Sequence, residues 1–330
     1  MKHYHRTRIF IIAILMMLSC PLPTMAASSV RGDTNGDGDV NIADVTSLID
    51  YLLSGDGEVN PECADVNRDG AIDIADATTL IDYLLGLVEF PPDEPEEEEF
   101  TVGNVTFIMV PVQGGTFMMG ATSEQGNDGS ERERPVHQVT LSSFYIGQTE
   151  VTQALWYTVM GSTPSYFSGS LLPVESVSWE DCPTFIATLN ELTGKSFRLP
   201  TEAEWEFAAR GGNKSMGYKY SGSDNASSVA WYSYNDSWEL RGTGHHGPHD
   251  MATRSPNELM LYDMSGNVHE WCSDAYLPYG TEQPESLDDS HRLVIRGGCW
   301  FSLPKDCRST SRSNEAAGMR FYTIGLRLAL

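Results

Sequence analysis

Two short acidic segments place oxygen-bearing side chains at the spacing of a calcium-binding loop. The first begins at Asp33 and the second at Asp65, 32 residues later, so the chain contains a tandem repeat. Oxygen side chains occupy loop positions 1, 3, 5, 9 and 12, and position 7 supplies its backbone carbonyl. A flexible cage of oxygens suits Ca²⁺. The predicted ligands are Asp33, Asn35, Asp37, Asp39, Asn41 and Asp44 in one loop, and Asp65, Asn67, Asp69, Ala71, Asp73 and Asp76 in the other.

An apolar-periodic run after each loop, ending at Leu53 and Leu85, predicts one helix per repeat. Acidic loops that bind no metal are the alternative, which two matching loops at a fixed period disfavour. Residues 32–86 resemble a type I dockerin. That resemblance implies two Ca²⁺ ions, a small all-α module of three helices, and a cohesin-like partner bound through either repeat.

The expected partner-binding positions depart from those of cellulosomal dockerins. Where Ser-Thr is common at loop positions 10 and 11, this chain has Ile-Ala, beginning at Ile42 and Ile74. The following helices carry Asp50 and Asp82, where basic residues are frequent. We therefore expect a more apolar and more acidic partner face, which makes a standard cohesin doubtful.

A second stretch that could do chemistry is Arg296–Arg312, with the sequence RGGCWFSLPKDCRSTSR. Its two adjacent glycines allow a sharp turn or a close approach to another segment. Trp300 and Phe301 are large enough to anchor the stretch in a core. Cys307 is either a working thiol or a small buried side chain.

The elements that must position this stretch are short. A capping box at Thr201–Glu204 begins one helix, which should end at the glycines after Arg210. Long glycine- and tryptophan-rich loops follow up to Leu330, so we expect an irregular α+β domain. The other predicted elements are strands at 105–111, 114–120, 137–141 and 144–146, and helices at 152–160 and 178–194.

Ordered motifs make the C-terminal part similar to a known family. In chain order they are GGTFMMG, ERPVHQVTL, GQTEVTQALW, PVESVSW, FRLPTEAEWEFAARGG, LYDMSGNVHEW, IRGGCW and IGLRLA. They resemble the formylglycine-generating enzyme, or sulfatase-modifying factor, domain over residues 101–330. The resemblance implies a variant of the C-type-lectin-like fold with little regular secondary structure.

The same resemblance implies a catalytic pair of cysteines, five positions apart, that bind Cu(I) and activate O₂ to oxidise a substrate cysteine to formylglycine. Cys307 matches the second cysteine, but Ser302 stands at the first. A hydroxyl is a hard ligand that does not replace a thiolate on Cu(I). An extended segment would direct Cys299, three residues earlier, elsewhere. A structural Cys307, with Cys272 as a plausible disulfide partner in an exported protein, is the alternative to catalysis.

The resemblance also implies a calcium site in the LYDMSGNVHEW segment. Asp263 and Glu270 would offer side-chain oxygens, and Gly266 and Val268 would offer backbone carbonyls. A turn with an incidental glutamate is the alternative. His269 replaces the family's usual tryptophan.

The first 27 residues predict export. Basic residues precede an apolar run at 9–18, and Ala26-Ala27 offer a small-residue exit, as in a signal peptide. Cleavage before Cys20 is the alternative, since Leu18-Ser19-Cys20 resembles a bacterial lipobox and would leave a lipid anchor. No other segment is long and apolar enough to span a bilayer. We expect a secreted or cell-surface bacterial protein.

Charge and composition exclude one class of partner. The net charge of −25 leaves no basic patch to neutralise phosphates, so nucleic acid is not an expected partner. Residues 87–100, rich in proline and glutamate, predict a solvated linker between the dockerin-like repeat and the larger domain.

Other catalytic signals are weak. His245, His246 and His249 cluster in a glycine-rich loop without an evident further ligand, and no recognisable glycosidase carboxylate pair is present. We therefore expect a binding or assembly protein for a peptide or glycan, linked to the use of polysaccharide or sulfated glycan. The alternatives are an oxidase of sulfatase cysteines with altered metal ligation, and a purely structural scaffold.

Overall fold

A computed structural model describes residues 30–55, 59–88, 90, 96–235, 246–284, 286–287 and 291–330. The chain divides into two compact units, Met1–Asp93 and Glu94–Leu330. The predicted signal peptide, with Cys20, lies outside the described residues. Within the described part, no helix combines the length and apolarity that crossing a bilayer requires.

The first unit contains three helices, α1 (Ile42–Ser54), α2 (Pro61–Ala64) and α3 (Ile74–Leu84). The repeat is visible in the helix starts, since Asn41 and Asp73 cap α1 and α3 with the same capping box. Leu48 and Leu80, at equivalent positions of the two repeats, are both fully buried in one apolar cluster. The sequence repeat therefore corresponds to a structural repeat with a shared core.

Phe90 extends this first unit beyond the predicted boundary. Its ring stacks on Tyr83, with centroids 3.8 Å apart, and the Arg31 guanidinium lies 5.5 Å from its centroid. Phe90, although it lies within the predicted solvated linker 87–100, therefore packs on the first unit. At the other end of that stretch, Glu98 already belongs to a strand of the second unit.

Nine strands in three sheets form the described framework of the second unit. One antiparallel sheet has the order β1-β2-β5, a second pairs β3 with β4, and a third has the order β8-β7-β6-β9 with β6 and β9 parallel. The strands are β1 (Glu98–Val102), β2 (Val105–Val112), β3 (Gly115–Met119), β4 (His137–Leu141), β5 (Phe144–Gly147), β6 (His269–Ala275), β7 (Arg292–Arg296), β8 (Arg312–Ala316) and β9 (Ile324–Leu326).

The three predicted helices of the second unit are present as α4 (Gln153–Met160), α5 (Cys182–Thr193) and α6 (Glu202–Ala209). A short fourth helix, α7 (Ala226–Val229), is not among the predicted elements. Thr201 accepts a hydrogen bond from the Glu204 amide at 3.1 Å, and Glu204 accepts one from the Thr201 amide at 2.8 Å, which confirms the capping box. Gly161 and Gly194 end α4 and α5 in the left-handed conformation.

Two apolar clusters fill the second unit. One gathers α4 and α5 against the four-stranded sheet, with Trp156 stacked on Phe185 at 4.6 Å between ring centroids. The other packs α6 against β2, β5 and β7, with Trp205 fully buried. Helix α6 and strand β7 thereby fix the start of the Arg296–Arg312 stretch, where sequence indicated chemistry.

Candidate functional site

The Arg296–Arg312 stretch leaves β7 through a tight double-glycine turn. Gly297 and Gly298 both have positive φ angles, +90° and +75°. A Cβ atom at Gly298 would lie 2.8 Å from the Cys307 Sγ atom and 3.0 Å from its Cα atom. The glycines therefore serve both expected purposes, a turn and a close approach of two backbones.

The two aromatic residues of the stretch have different environments. Trp300 is buried, and its amide donates to the Asn267 carbonyl at 2.7 Å. Phe301 is 70% exposed. The prediction that both rings anchor the stretch in a core is confirmed for Trp300 and wrong for Phe301.

Cys299 meets Ser302, contrary to the expectation from an extended segment. The backbone turns here, with the Ser302 amide donating to the Cys299 carbonyl at 2.9 Å. The Ser302 hydroxyl oxygen accepts from the Cys299 amide at 3.0 Å and lies 3.3 Å from the Cys299 Sγ atom. A sulfur atom is thus close to position 302, although it belongs to a different residue from the family's first cysteine.

Cys307 is a buried free thiol. It is fully buried, and burial raises the pKa of its thiol well above the usual range, an effect that the nearby Cys299 reinforces. Cys272 is also a buried free cysteine, packed in the cluster around Trp205, so the predicted Cys272–Cys307 disulfide is wrong. Cys63 and Cys182 are likewise buried core residues. A thiol held neutral by burial is a poor nucleophile and metal ligand until it loses its proton.

The arginines of this stretch hold it in place through buried glutamates. Arg308 binds the Glu133 carboxylate with bonds of 2.6 and 2.9 Å, and Arg312 binds Glu202 with bonds of 2.8 and 2.5 Å. Arg296 donates to Glu206, which is likewise fully buried. These partners lie 90 to 175 residues away in sequence, so no local pattern could have indicated them.

A small polar cavity of about 210 Å³ borders position 302. Ser302 and Gly298 line it, while Cys307 does not. His269 also faces this cavity, and burial lowers the pKa of its imidazole to about 4. The cavity is lined by Arg132, His269, Ile295, Arg296, Gly298, Ser302, Asp306, Ser311, Arg312 and Ser313.

The implied calcium ligands of the second unit lie close together but are unequally available. The buried Asp263 Oδ1 atom has no hydrogen-bond partner in the described structure, as a cation ligand would require. Both oxygens of Glu270 are engaged, by Arg327 at 2.7 to 3.1 Å and by the Trp205 indole at 2.6 Å. Asp263 fits a cation and Glu270 is already neutralised, so the set Asp263, Gly266, Val268 and Glu270 stays a prediction.

Sequence reasoning missed a third buried carboxylate in this cluster. Glu150 accepts hydrogen bonds from the Asn267 side chain at 3.0 Å and from the Val268 amide at 3.3 Å. Burial, together with the negative charges of Asp263 and Glu270, raises the pKa of Glu150 well above its usual range. Burial likewise raises the pKa of Asp263 to about 6. The cluster disfavours full ionisation.

The histidine loop, as far as the structure describes it, lines a cleft larger than the cavity at Ser302. The His249 ring stacks on Trp231 with centroids 3.6 Å apart, and His246 lies 6.4 Å from Trp300. His245 is outside the described residues. The cleft, of about 470 Å³, is lined by Phe167, Ser168, Gly169, Leu172, Trp231, His246, Gly247, Pro248, His249, Asp250 and Thr253.

The two acidic loops of the first unit curl around their first and last carboxylates. Asp33 accepts from the amides of Asp37 and Gly38 at 3.0 and 2.9 Å, and the fully buried Asp44 accepts from the Asn35 amide at 3.1 Å. In the second loop, the buried Asp65 Oδ1 atom has no hydrogen-bond partner among the described residues, as a cation ligand would require.

The oxygen atoms in these loops come from several chemical groups. Across the described residues, no three His, Cys, Asp or Glu side chains are grouped closely enough to hold an ion by themselves. Any ion in the loops would therefore also use asparagine and backbone oxygens, as Ca²⁺ sites commonly do.

Comparison with known proteins agrees with this geometry. The family model for the sulfatase-modifying factor enzyme 1-like domain matches residues 96–330, which is most of the chain. The chain belongs to the sulfatase-modifying factor enzyme 1-like family. A type I dockerin domain model matches residues 31–85, so the chain joins a dockerin domain to a domain of that family.

Relatives of this family member include both active and inactive enzymes. It is 34% identical to "Chaperone protein LppX" of Paenibacillus barcinonensis, over 61% of this chain and 82% of that protein. It is 28% identical to the formylglycine-generating enzyme of Streptomyces coelicolor, over 67% and 88% of the two chains. It is 27% identical to the inactive Cα-formylglycine-generating enzyme 2 of Mus musculus, over 67% and 85%.

Other relatives are longer or differ in name. The chain spans 40% of the serine/threonine-protein kinase pkn1 of Chlamydia pneumoniae, at 29% identity. Among solved structures, "Treponema denticola variable protein 1" matches with a TM-score of 0.60 and 30% identity, over 71% of this chain and 99% of that one. Family membership therefore establishes the fold, and the residues of the site must decide the activity.

Proposed function

We propose that this protein is an exported binding or assembly protein whose family domain holds a peptide or glycan and does not oxidise sulfatases. The observation that carries the proposal is the hydroxyl of Ser302 at the position where the family's enzymes have a thiol. Cu(I) prefers soft sulfur ligands, and a hydroxyl supplies neither softness nor a negative charge at neutral pH.

The surroundings of Cys307 support the same proposal. Its Sγ atom is packed beneath the double-glycine turn and does not reach the cavity that Ser302 lines. A catalytic thiol needs to be accessible and to have a lowered pKa, whereas burial raises the pKa of Cys307. The residues present do not fit the family's two-thiolate copper site.

The dockerin domain supplies the attachment. We propose that its two loops bind Ca²⁺ through the ligand sets predicted from sequence, and that a cohesin-like partner binds this domain. The orphaned Asp65 Oδ1 atom supports the metal. Ile42 and Ile74, 70% and 68% exposed, support an apolar partner face. We also propose that the protein is exported, since attachment to a cohesin-like partner occurs outside the cell, and that it takes part in polysaccharide use.

One observation favours a second candidate, an oxidase with altered ligation. The Cys299 Sγ atom lies 3.3 Å from the Ser302 hydroxyl oxygen, so a second sulfur is present near the missing thiol. In this version Cys299 and Cys307 would take the places of the two cysteines of the active enzymes.

For the binding protein, the name of the Paenibacillus relative, a chaperone, favours a polypeptide as the bound ligand.

Mass spectrometry separates the two candidates. The purified protein is incubated with Cu(I), O₂ and a CxPxR peptide, and the peptide is examined for conversion of cysteine to aldehyde. We expect no conversion by the wild type. Conversion that disappears in both Cys307→Ser and Cys299→Ser would establish the oxidase instead. Ser302→Cys serves as the matched variant that restores the family's residue.

A further inference from the structure

Next to the cleft, five aromatic side chains form one continuous cluster with exposed rings on its outer side. They are Tyr166, Phe167, Trp300, Phe301 and Tyr322, and neighbouring ring centroids lie 5.1 to 6.3 Å apart. We name this set the aromatic platform. Tyr166 is 76% exposed, Phe301 70% and Tyr322 49%. Contiguous exposed aromatic surface of this kind on a folded domain marks an interaction site.

The platform is held in place before any ligand arrives. Trp300 lies at its centre, buried, and contacts the rings of Phe167, Phe301 and Tyr322. Its backbone amide is fixed by the Asn267 carbonyl at 2.7 Å. Rings fixed in this way lose little conformational entropy on binding, which favours affinity.

The platform and the 470 Å³ cleft form one surface. Phe167 belongs to both, and His246, which lines the cleft, also lies near Trp300. The loop that forms one wall of the cleft packs directly on the Phe167 ring. A Cβ atom at Gly247 in this loop would lie only 2.5 Å from the ring. A ligand on the platform can therefore extend into the cleft.

The charges of the described residues along the cleft disfavour an anionic ligand. Its lining contains no lysine or arginine among the described residues, and it includes the exposed carboxylate of Asp250. The nearby Arg254 guanidinium is stacked on Trp231, 3.6 Å from the ring centroid. The protein as a whole carries a net charge of −25. Sulfate or carboxylate groups would meet the Asp250 carboxylate here, while the Arg254 guanidinium beside the cleft already contacts the Trp231 ring and the Ser227 carbonyl.

The polar groups of the cleft suit hydroxyl-rich ligands. Ser168, Asp250 and Thr253 present oxygen atoms at the exposed rim, and the two histidines present imidazole rings. Carboxylate, hydroxyl and imidazole groups accept and donate hydrogen bonds to sugar hydroxyls. The exposed ring faces carry partial negative charge, which attracts the C–H bonds on the flat side of a pyranose ring.

We propose that the aromatic platform and the adjoining cleft bind an uncharged polysaccharide segment, with sugar rings on Tyr166 and Tyr322 and hydroxyl groups directed towards Asp250. This inference rests on the proposed function, a ligand-binding domain, and names its ligand class. It replaces the sulfated glycan considered from sequence by a neutral one. A polypeptide ligand is the competing outcome.

Affinity electrophoresis and calorimetry of the full chain test the proposal. The probes are xylohexaose, cellohexaose and mannohexaose, with heparin and a CxPxR peptide as the anionic and polypeptide arms. We expect at least one neutral hexasaccharide to bind, and heparin not to bind. Tyr166→Ala with Tyr322→Ala should weaken that binding about tenfold or more, because each lost stacking contact removes both buried area and ring attraction.

Tyr157→Ala is the matched control, since Tyr157 is an exposed tyrosine on α4 and belongs to none of the platform's ring contacts. It should leave glycan binding unchanged. Binding of heparin or of the peptide with no neutral glycan bound would overturn this inference while leaving the proposed binding function intact. Glycan binding that is unaffected by the double substitution would also overturn it. Aldehyde formation in the copper assay would instead contradict the proposed function itself.

Discussion

Two buried glutamates of the second unit, Glu270 and Glu150, have different hydrogen-bond partners. Glu270 neutralises the fully buried Arg327 through both carboxylate oxygens, whereas the hydrogen bonds that Glu150 accepts from described residues come from neutral groups. Removing one partner of a buried pair leaves an uncompensated charge, while removing an excess like charge relieves repulsion.

We therefore expect Glu270→Gln to lower the free energy of unfolding by about 3–5 kcal/mol. Glu150→Gln, the same chemical change in the same cluster, should have little effect or stabilise the protein at neutral pH, because burial and like charges raise the pKa of Glu150. Denaturant titration of the two variants measures the difference. Equal destabilisation would contradict this account of the cluster.

His269 predicts a dependence of stability on pH. Burial lowers the pKa of its imidazole to about 4 from an ordinary value near 6.5, so the unfolded chain binds the proton more readily than the folded one. The contribution is fully present above about pH 6.5 and is lost as the pH falls towards 4. His269→Gln should reduce the loss of thermal stability over this window. Identical pH profiles for the two proteins would rule this out.

At the scale of elements, the double-glycine turn is the most constrained backbone of the site. Gly298→Ala introduces both a left-handed strain and a Cβ atom 2.8 Å from the Cys307 Sγ atom. Gly161→Ala introduces a similar strain, φ +71°, at a position with open space around it. Gly161→Ala should cost about 1 kcal/mol, and Gly298→Ala should cost distinctly more. Thermal denaturation provides the comparison, and equal losses would show that the close approach is unimportant.

The loop-helix repeat predicts a response to chelators. If the acidic loops bind Ca²⁺, part of the free energy of folding of the first unit comes from the metal. EDTA should then reduce helicity and expose residues 32–86 to proteolysis in the full chain. Asp65→Ala should mimic the effect, while Asp50→Ala, an exposed residue of α1, should not. Unchanged far-UV circular dichroism and proteolysis with EDTA would exclude the calcium proposal.

The sequence predicts the individual helices and strands well, but it does not predict which strands pair or which distant residues meet. The capping boxes at Asn41, Asp73 and Thr201 are local signals, and the helices after them form as expected. Strands β2 and β3 are adjacent in sequence yet lie in different sheets, because pairing is decided by distant strands. The meeting of Cys299 with Ser302 depends on a turn that an extended reading could not foresee.

For the whole molecule, we propose that the dockerin domain selects the partner that the chain binds. The exposed isoleucines at equivalent positions, Ile42 and Ile74, support the proposal that either half of the domain engages a cohesin-like partner. We expect the single substitutions Ile42→Asp and Ile74→Asp to leave capture by a cohesin with an apolar and basic binding face measurable, and the double substitution to abolish it. Surface plasmon resonance with immobilised cohesin makes the test. Full binding by the double variant would show that these residues lie outside the interface.

The buried cysteines described above can report, through chemical labelling, where the protein unfolds. Cys63 lies in the first unit, and Cys182, Cys272, Cys299 and Cys307 lie in the second, all shielded from solvent and none in a disulfide. Alkylating reagents would modify each thiol only when its surroundings open. Peptide mapping of the labelled positions would therefore report the opening of each unit separately, without any engineered probe.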